Sequence, residues 1–306
     1  GSRPSTPRDL VVGLDFGTSS TKVVIADRTM HAAYAVPFMD AVGVSAYLLP
    51  SALIETAAGN FTLGGRGVRH ADLKLAMLKD LSNETACAKV CAFLALVIRN
   101  ARAWLFETKA DQLSGADILW SLALGQPADQ VVSAKHRAHF EHLSKVAWHL
   151  AATPGDLRAE TALKAWRERI RLNLDDELEV RPMAELSAQI HGFVSSSHFD
   201  NRHPNIYLLV DVGAGTVDAT LFRVRKDRGG TVSFEFFTHG VELLGAANLN
   251  RARLSWWTSQ LQDLARDLDG GGGATAADIA QTIQEMDRLR LPTEFRGQYP
   301  DSFHRY

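Results

Sequence analysis

Hydrophobic and polar positions follow first a two-residue and then a helical period along this chain. "LVVGLDFG", Leu10 to Gly17, is a largely apolar strand, and "TKVVIAD", Thr21 to Asp27, resumes it after a polar turn, which predicts a hairpin. "HAAYAVPF" predicts another strand, and "AYLLPSALIE" (Ala46 to Glu55) and "NFTLGG" (Asn60 to Gly65) predict shorter pieces, with Pro50 marking an edge or a break. Helical spacing then takes over. "ADLKLAMLKDL" predicts a short helix, and Glu84 to Glu107 a long amphipathic one capped by Asn83 or Ser82. "ADILWSLALG", Ala116 to Gly125, predicts a fully buried strand ended by Gly125 and Pro127. Residues 133 to about 174 are mostly helical with a break at "TPGD", Thr153 to Asp156, and "PMAELSAQIHGFVSS" predicts a helix opened by Pro182 in its first turn.

Beyond the polar link "SSHFDNRHPN", Ser196 to Asn205, the opening pattern returns as "IYLLVDVG" and "TVDATLFRVR", with "TVSFEFFTHG" as a third strand. From Leu243 the tail is helical, broken by a loop at "DGGGGAT" and ending in the aromatic, polar "EFRGQYPDSFHRY". These elements predict an α/β fold in two related halves. The expected division is a tail at 1–8 (tag or disordered), a first lobe at 9–196 and a second, partial lobe at 197–306.

"VVGLDFGTSSTKVVIAD" and "YLLVDVGAGTVDATLFRV" share an order: Asp, one residue, Gly, then a small, hydroxyl-rich turn between two strands. Their aspartates lie 196 positions apart (211 − 15). Glycines and small residues let backbone N–H groups converge on an anion, as in phosphate-binding nests. The hydroxyls of Thr18, Ser19, Ser20, Thr21 and Thr216 add further donors. Asp15 and Asp211 would repel a bare phosphate, and a divalent hard cation held by those carboxylates through its waters removes the conflict. A magnesium–nucleotide site is the functional reading; two Gly-containing hairpin turns with incidental aspartates is the bland one. The repetition of the whole order favours the former. Neither a GxxxxGK[ST] loop nor a GxGxxG turn into a helix is present.

Composition narrows the class without choosing the function. The 306 residues are 46% apolar and 22% charged, as in globular proteins, and 33 basic against 35 acidic side chains leave a formal net charge of -2. That balance offers no global attraction to nucleic acid. The densest apolar run, "VCAFLALVI", is half of a membrane span and reads as a core helix. "GSRPSTPR" contains no apolar signal region. The only cysteines, Cys87 and Cys91, stack on one helical face at a spacing unsuited to a mutual disulfide, and their scarcity points to a reducing, cytoplasmic setting.

The chain resembles the actin-like ATPase superfamily (a ribonuclease H-like fold), specifically the nucleotide-binding domain of bacterial relatives of the seventy-kilodalton heat-shock chaperones. Asp15, Gly17, Thr18, Ser19 and Ser20 resemble the first phosphate motif, and Asp211, Gly213, Gly215, Thr216 and Asp218 the second. "AYLLPSAL" is similar to the TPS strand, "HADLKLAM" to the segment carrying a phosphate-contacting lysine, here Lys74, and "WSLALGQPAD" to the buried strand ending in Val-Pro-Ala. "RPMAELSAQIHGF" resembles the helix connecting the lobes, and "HGVELLGAANLNRAR" the LGG-containing start of the upper second-lobe subdomain. The likeness spans roughly residues 9 to 255.

The resemblance implies two lobes around a cleft that binds ATP or ADP with Mg2+ and hydrolyses ATP to drive a conformational switch. In that scheme Asp15 and Asp211 organise the metal, Lys74 offsets phosphate charge, and the glycines and hydroxyls of both loops hold the phosphates. A water polarised by Asp211 or Glu185 attacks, while Asp218 binds nucleotide or braces its own turn. Two departures stand out. Arg181 occupies the place of the chaperones' glutamate before Pro182, so Glu185 substitutes, Glu179 reaches round, or hydrolysis is impaired. No late glycine-rich adenine motif or returning helix precedes Tyr306, so the second lobe is expected to be incomplete and the chain an N-terminal fragment. The rival functions are a nucleotide sensor or scaffold without turnover, a sugar kinase of the same superfamily, and an actin-like filament protein.

Other signals carry less. His136, His139 and His142 drift around a helix without an HExxH order and read as partly exposed surface histidines; no GxSxG elbow is present. Trp104, Trp120 and Trp148 sit in apolar periodic segments and read as core. The adjacent Trp256 and Trp257 point about 100° apart on a helix, so a protein partner or a missing C-terminal part near them is the alternative to core packing.

Overall fold

A computed structural model of the chain describes residues 7–126, 134–172, 174, 178–181, 183–200, 205–226, 232–242, 244–246, 252, 255–256 and 258–263. Two compact units divide it, Gly1–Asn205 and Ile206–Tyr306. Both are built on a hairpin of the kind that the alternation predicts, and together they make a mixed α/β protein.

In the first unit the strands are β1 (Arg8–Phe16), β2 (Ser20–Asp27), β3 (Ala32–Ala35), β4 (Leu49–Pro50), β5 (Leu53–Glu55), β6 (Phe61–Thr62), β7 (Val68–His70), β8 (Ile118–Gln126), β9 (Leu178–Val180) and β10 (Met183–Ala184). The helices are α1 (Leu73–Lys79), α2 (Glu84–Thr108), α3 (Ala110–Leu113), α4 (Ala134–Ala152), α5 (Ala159–Arg167) and α6 (Glu185–Val194). The main sheet runs β10-β8-β1-β2-β3, with β4 on β2 and β9 on β8. β1, β2 and β3 are successively antiparallel, whereas β8 lies parallel to β1, and β9 and β10 parallel to β8. A smaller antiparallel sheet has the order β6-β5-β7.

Leu10, Val12, Leu14 and Phe16 alternate inward along β1 and meet Val23, Ile25, Leu122 and Leu124 in one core with α2, α4 and α5. The α2 helix is buried on nearly all sides from Cys87 to Ile98, as expected of a helix apolar around its circumference. Its start resolves the choice of cap: Asn83 Oδ1 accepts from the Ala86 N–H at 3.0 Å, while Ser82 turns back to Asp80. Among the described residues, no helix is long and apolar enough to cross a membrane.

Two local expectations shift and one holds. The strand from Ala116 is not buried throughout, because Leu119 is 61% exposed while Leu122 and Leu124 face the core. The chain around Pro50 splits into β4 and β5, in accord with proline breaking a strand. The connecting helix begins at Glu185, not at Pro182, a residue outside those described, because Met183 and Ala184 pair with Gly125 and Gln126 at the edge of β8. Tertiary hydrogen bonding there outweighs the local helical pattern.

The second unit contains β11 (Ile206–Val212), β12 (Val217–Lys226) and β13 (Val232–Glu242) in one antiparallel sheet of that order. Phe222 is buried at its centre and stacks on Tyr207 with ring centroids 5.6 Å apart. Trp148 and Trp166 are core residues of the first unit, with Trp104 and Trp120 packed against it. Trp256 is 52% exposed; Trp257 and the "DGGGGAT" loop lie outside the described residues.

Candidate functional site

The two hairpins share more than their sequence order. In the first, Phe16 pairs with Thr21, the loop is residues 17–20, and Asp15 stands one rung back, opposite Lys22. In the second, Val212 pairs with Val217, the loop is residues 213–216, and Asp211 stands one rung back, opposite Asp218. Both loops open on glycine for one steric reason. A Cβ at Gly17 would lie 2.5 Å from the carbonyl oxygen of the fourth loop residue, Ser20, and one at Gly213 would lie 3.2 Å from the corresponding oxygen of Thr216.

The acidic rungs differ. The Lys22 ammonium donates to Asp15 at 2.7 Å, with both side chains about half exposed (47% and 48%). Asp211 instead faces Asp218 in the strand register. Asp218 also accepts from the Thr216 hydroxyl at 2.8 Å, so it braces its own turn. Thr21 is fully buried and its hydroxyl is bound to Ser51 at 2.8 Å, which removes it from the donors available to a ligand. Thr18, Ser19 and Ser20 are the expected donors that remain in this loop.

At the carboxyl ends of β1 and β8 a second group of predicted residues converges. Lys74, in the first turn of α1, is 6% exposed and donates to Glu185 Oε1 at 2.5 Å across 111 positions of sequence. Gly125 makes the contact feasible: a Cβ there would lie 3.1 Å from Glu185 Cγ and 3.6 Å from the Leu14 carbonyl oxygen. Glu185 therefore lies over the two strand ends, as the first residue of α6. Glu179, the other candidate acid, is committed elsewhere. It pairs with Arg181 at 2.6 Å and accepts from Ser121, and the Arg181 hydrogen bond holds its carboxyl below the usual range.

This pairing carries an asymmetric expectation. Glu185→Ala strips a buried ammonium of its acidic partner and is expected to cost about 2 kcal/mol in urea unfolding, whereas Lys74→Met leaves a carboxylate that water reaches and costs less than about 1 kcal/mol. The double variant should recover most of the loss. Equal losses from the two single changes would contradict the burial asymmetry.

Magnesium keeps most of its water shell and takes one or two carboxylates in nucleotide sites, so a protein cage is not required. Asp15 and the facing pair Asp211 and Asp218 belong to that donor class. Among the described residues, no group of three or more His, Cys, Asp or Glu side chains could hold a metal by itself. Cys87 and Cys91 are free and buried; burial pushes the Cys87 thiol up to about 11 and the Cys91 thiol well above its ordinary value. His139 packs edge-on to Trp166 at 5.2 Å.

Three participants escaped the sequence reading. Lys22 was legible in principle, since a four-residue turn fixes the register that places it opposite Asp15. Ser51 and the Gly245–Ala246 backbone, which hold the two loops from behind, had no local signal for that role. No family model matches the chain, and no curated protein matches its sequence.

Proposed function

We propose that the chain is an actin-like, chaperone-like nucleotide switch that binds Mg–ATP through its two hairpin loops and hydrolyses it. The observation that carries this reading is the geometric repetition of the loops: the same four-residue length, the same opening glycine and the same aspartate one rung back. Incidental hairpins have no reason to share all three.

In this scheme Asp15 and Asp211 hold the hydrated metal, and Asp218 shares the second carboxylate site. Bound magnesium supplies charge neutralisation and orientation of the phosphates. Backbone amides of both loops, with the hydroxyls of Thr18, Ser19 and Ser20, bind phosphate oxygens. Lys74 offsets the charge that develops on the transferred group, and Glu185 orients the attacking water and accepts its proton. Glu185 as the first residue of α6 supports the reading in which it substitutes for the glutamate that Arg181 displaces. The engagement of Glu179 with Arg181 argues against its doing so. Helix α6, joined at its start to β10 and so to β8, would pass nucleotide state on as a change of shape.

A second reading, a sensor that binds ATP without turnover, is favoured by the ion pair itself, in which Lys74 and Glu185 already satisfy each other at 2.5 Å. Titration calorimetry with ATP, with magnesium and with chelator, separates the readings from a non-nucleotide role. Magnesium-dependent binding is expected in the parent, and Gly17→Ala should weaken it at least tenfold because the new Cβ meets backbone at 2.5 Å. Absence of binding in the parent would sink the proposal, and binding without phosphate release would select the sensor.

A further inference from the structure

Behind each loop lies a brace that contacts the same two carbonyl groups. In the first loop the Ser51 hydroxyl donates to the Gly17 carbonyl at 2.7 Å, and the Ser51 N–H donates to the Ser19 carbonyl at 2.9 Å. These are loop positions one and three. In the second loop the Ala246 N–H donates to the Gly213 carbonyl at 2.9 Å, and the Gly245 N–H donates to the Gly215 carbonyl at 3.3 Å. These are again positions one and three. The chemistry of the braces differs, a serine side chain and backbone in one case and backbone alone in the other, but the pattern they impose is the same.

That pattern has a geometric consequence. No peptide in the described chain is cis, and a trans peptide carries its C=O and the following N–H on opposite sides. Carbonyls of positions one and three drawn toward a brace turn the N–H groups of positions two and four away from it. Those groups belong to Thr18 and Ser20 in one loop, and to Ala214 and Thr216 in the other. The Thr18 and Ala214 N–H groups make no hydrogen bond among the described residues. Each loop thus turns two amides away from its brace.

The braces are also sterically exact in their seating. Ser51 is 4% exposed and closes a buried chain of hydrogen bonds with Thr21, which is 0% exposed. Gly245 sits so close to the second loop that a Cβ would lie 2.4 Å from the Gly215 carbonyl carbon and 2.5 Å from Ala214 backbone atoms.

We propose that Ser51 and the Gly245–Ala246 backbone are equivalent positioning elements, which turn the alternate amides of the two loops outward to bind phosphate oxygens. The assignment rests on the nucleotide reading for the identity of the phosphate, but the amide orientation does not depend on adenine or on hydrolysis. Ser51 touches no substrate and acts only through the loop.

The test measures Mg–ATP and Mg–pyrophosphate affinity by calorimetry, with melting curves alongside, for the whole chain and for Ser51→Ala, Ser51→Thr and Gly245→Ala. Ser51→Ala is expected to weaken both ligands about tenfold, the loss of one net hydrogen bond in the bracing chain. Ser51→Thr keeps the hydroxyl and should bind within about twofold of the parent. Gly245→Ala should weaken both ligands more than tenfold. A folded Ser51→Ala that melts lower yet binds like the parent overturns the inference while leaving the nucleotide reading intact. If Ser51→Ala does not fold, the pair Ser51→Thr and Gly245→Ala decides in the same way. A parent that binds pyrophosphate but not ATP overturns the nucleotide reading alone, and one that binds neither overturns both.

Discussion

Phe93→Ala is expected to lower the unfolding free energy of the first unit by about 3–5 kcal/mol, the range for removing a fully buried aromatic ring. Phe93 is 0% exposed in the middle of α2, and its ring lies 5.6 Å from that of Phe16, the residue immediately before Gly17. The cavity would therefore open beside the residue that leads into the loop of residues 17–20. Urea unfolding followed by tryptophan fluorescence reports the change, because Trp104, Trp120, Trp148 and Trp166 all belong to this unit. Phe93→Leu, which keeps more of the volume, should cost about 1 kcal/mol. A loss below that level for the alanine variant would mean that α2 does not carry the core in the way described. If the loop of residues 17–20 binds phosphate as proposed, weaker binding should accompany the lost stability, since the end of β1 loses its backing.

The largest expected effect on chemistry belongs to Lys74. If the site hydrolyses ATP, Lys74→Met should lower turnover by about 10²–10³-fold, the magnitude of removing one charge-stabilising group from a transferring phosphoryl centre. Asp211→Asn should fall by a similar factor, because it weakens the hold on the metal that neutralises the same charge. Phosphate release under saturating Mg–ATP is the measurement. The decline should appear in the maximal rate more than in binding, since the charge that Lys74 meets grows toward the transition state. Lys74→Met combined with Glu185→Gln should be little worse than the single change, because the two side chains form one ion pair and act as a unit. Turnover within threefold of the parent in Lys74→Met would remove Lys74 from the catalytic group.

The alternation of Leu10, Val12, Leu14 and Phe16 made β1 legible in the sequence, and the two glycine-bearing polar turns were legible as the turns of hairpins. A cap at Asn83 or Ser82 was legible because a side-chain acceptor before an apolar helix has a local signature, and the structure selects Asn83. The start of the connecting helix was not, and the reason is instructive for the site. Met183 and Ala184 form a strand of two residues, too short to show a period, and exist as a strand only because the edge of β8 is there to pair with. That pairing is what makes Glu185 the first residue of α6, beside Gly125.

By itself, then, the sequence determined the local matters: which stretches alternate, where the polar turns fall, and that an aspartate and a glycine recur at the same place in two hairpins. Side-chain period and turn sterics act over a few residues, so they are written where they act. Tertiary structure alone decided which distant groups meet. Lys74 and Glu185 find each other across 111 positions, and Ser51 reaches back across 34 to hold the Gly17 carbonyl. Those partners obey no local rule, because what selects them is the burial of an ammonium and of two hydroxyls that must be paired once the sheet and its helices close around them.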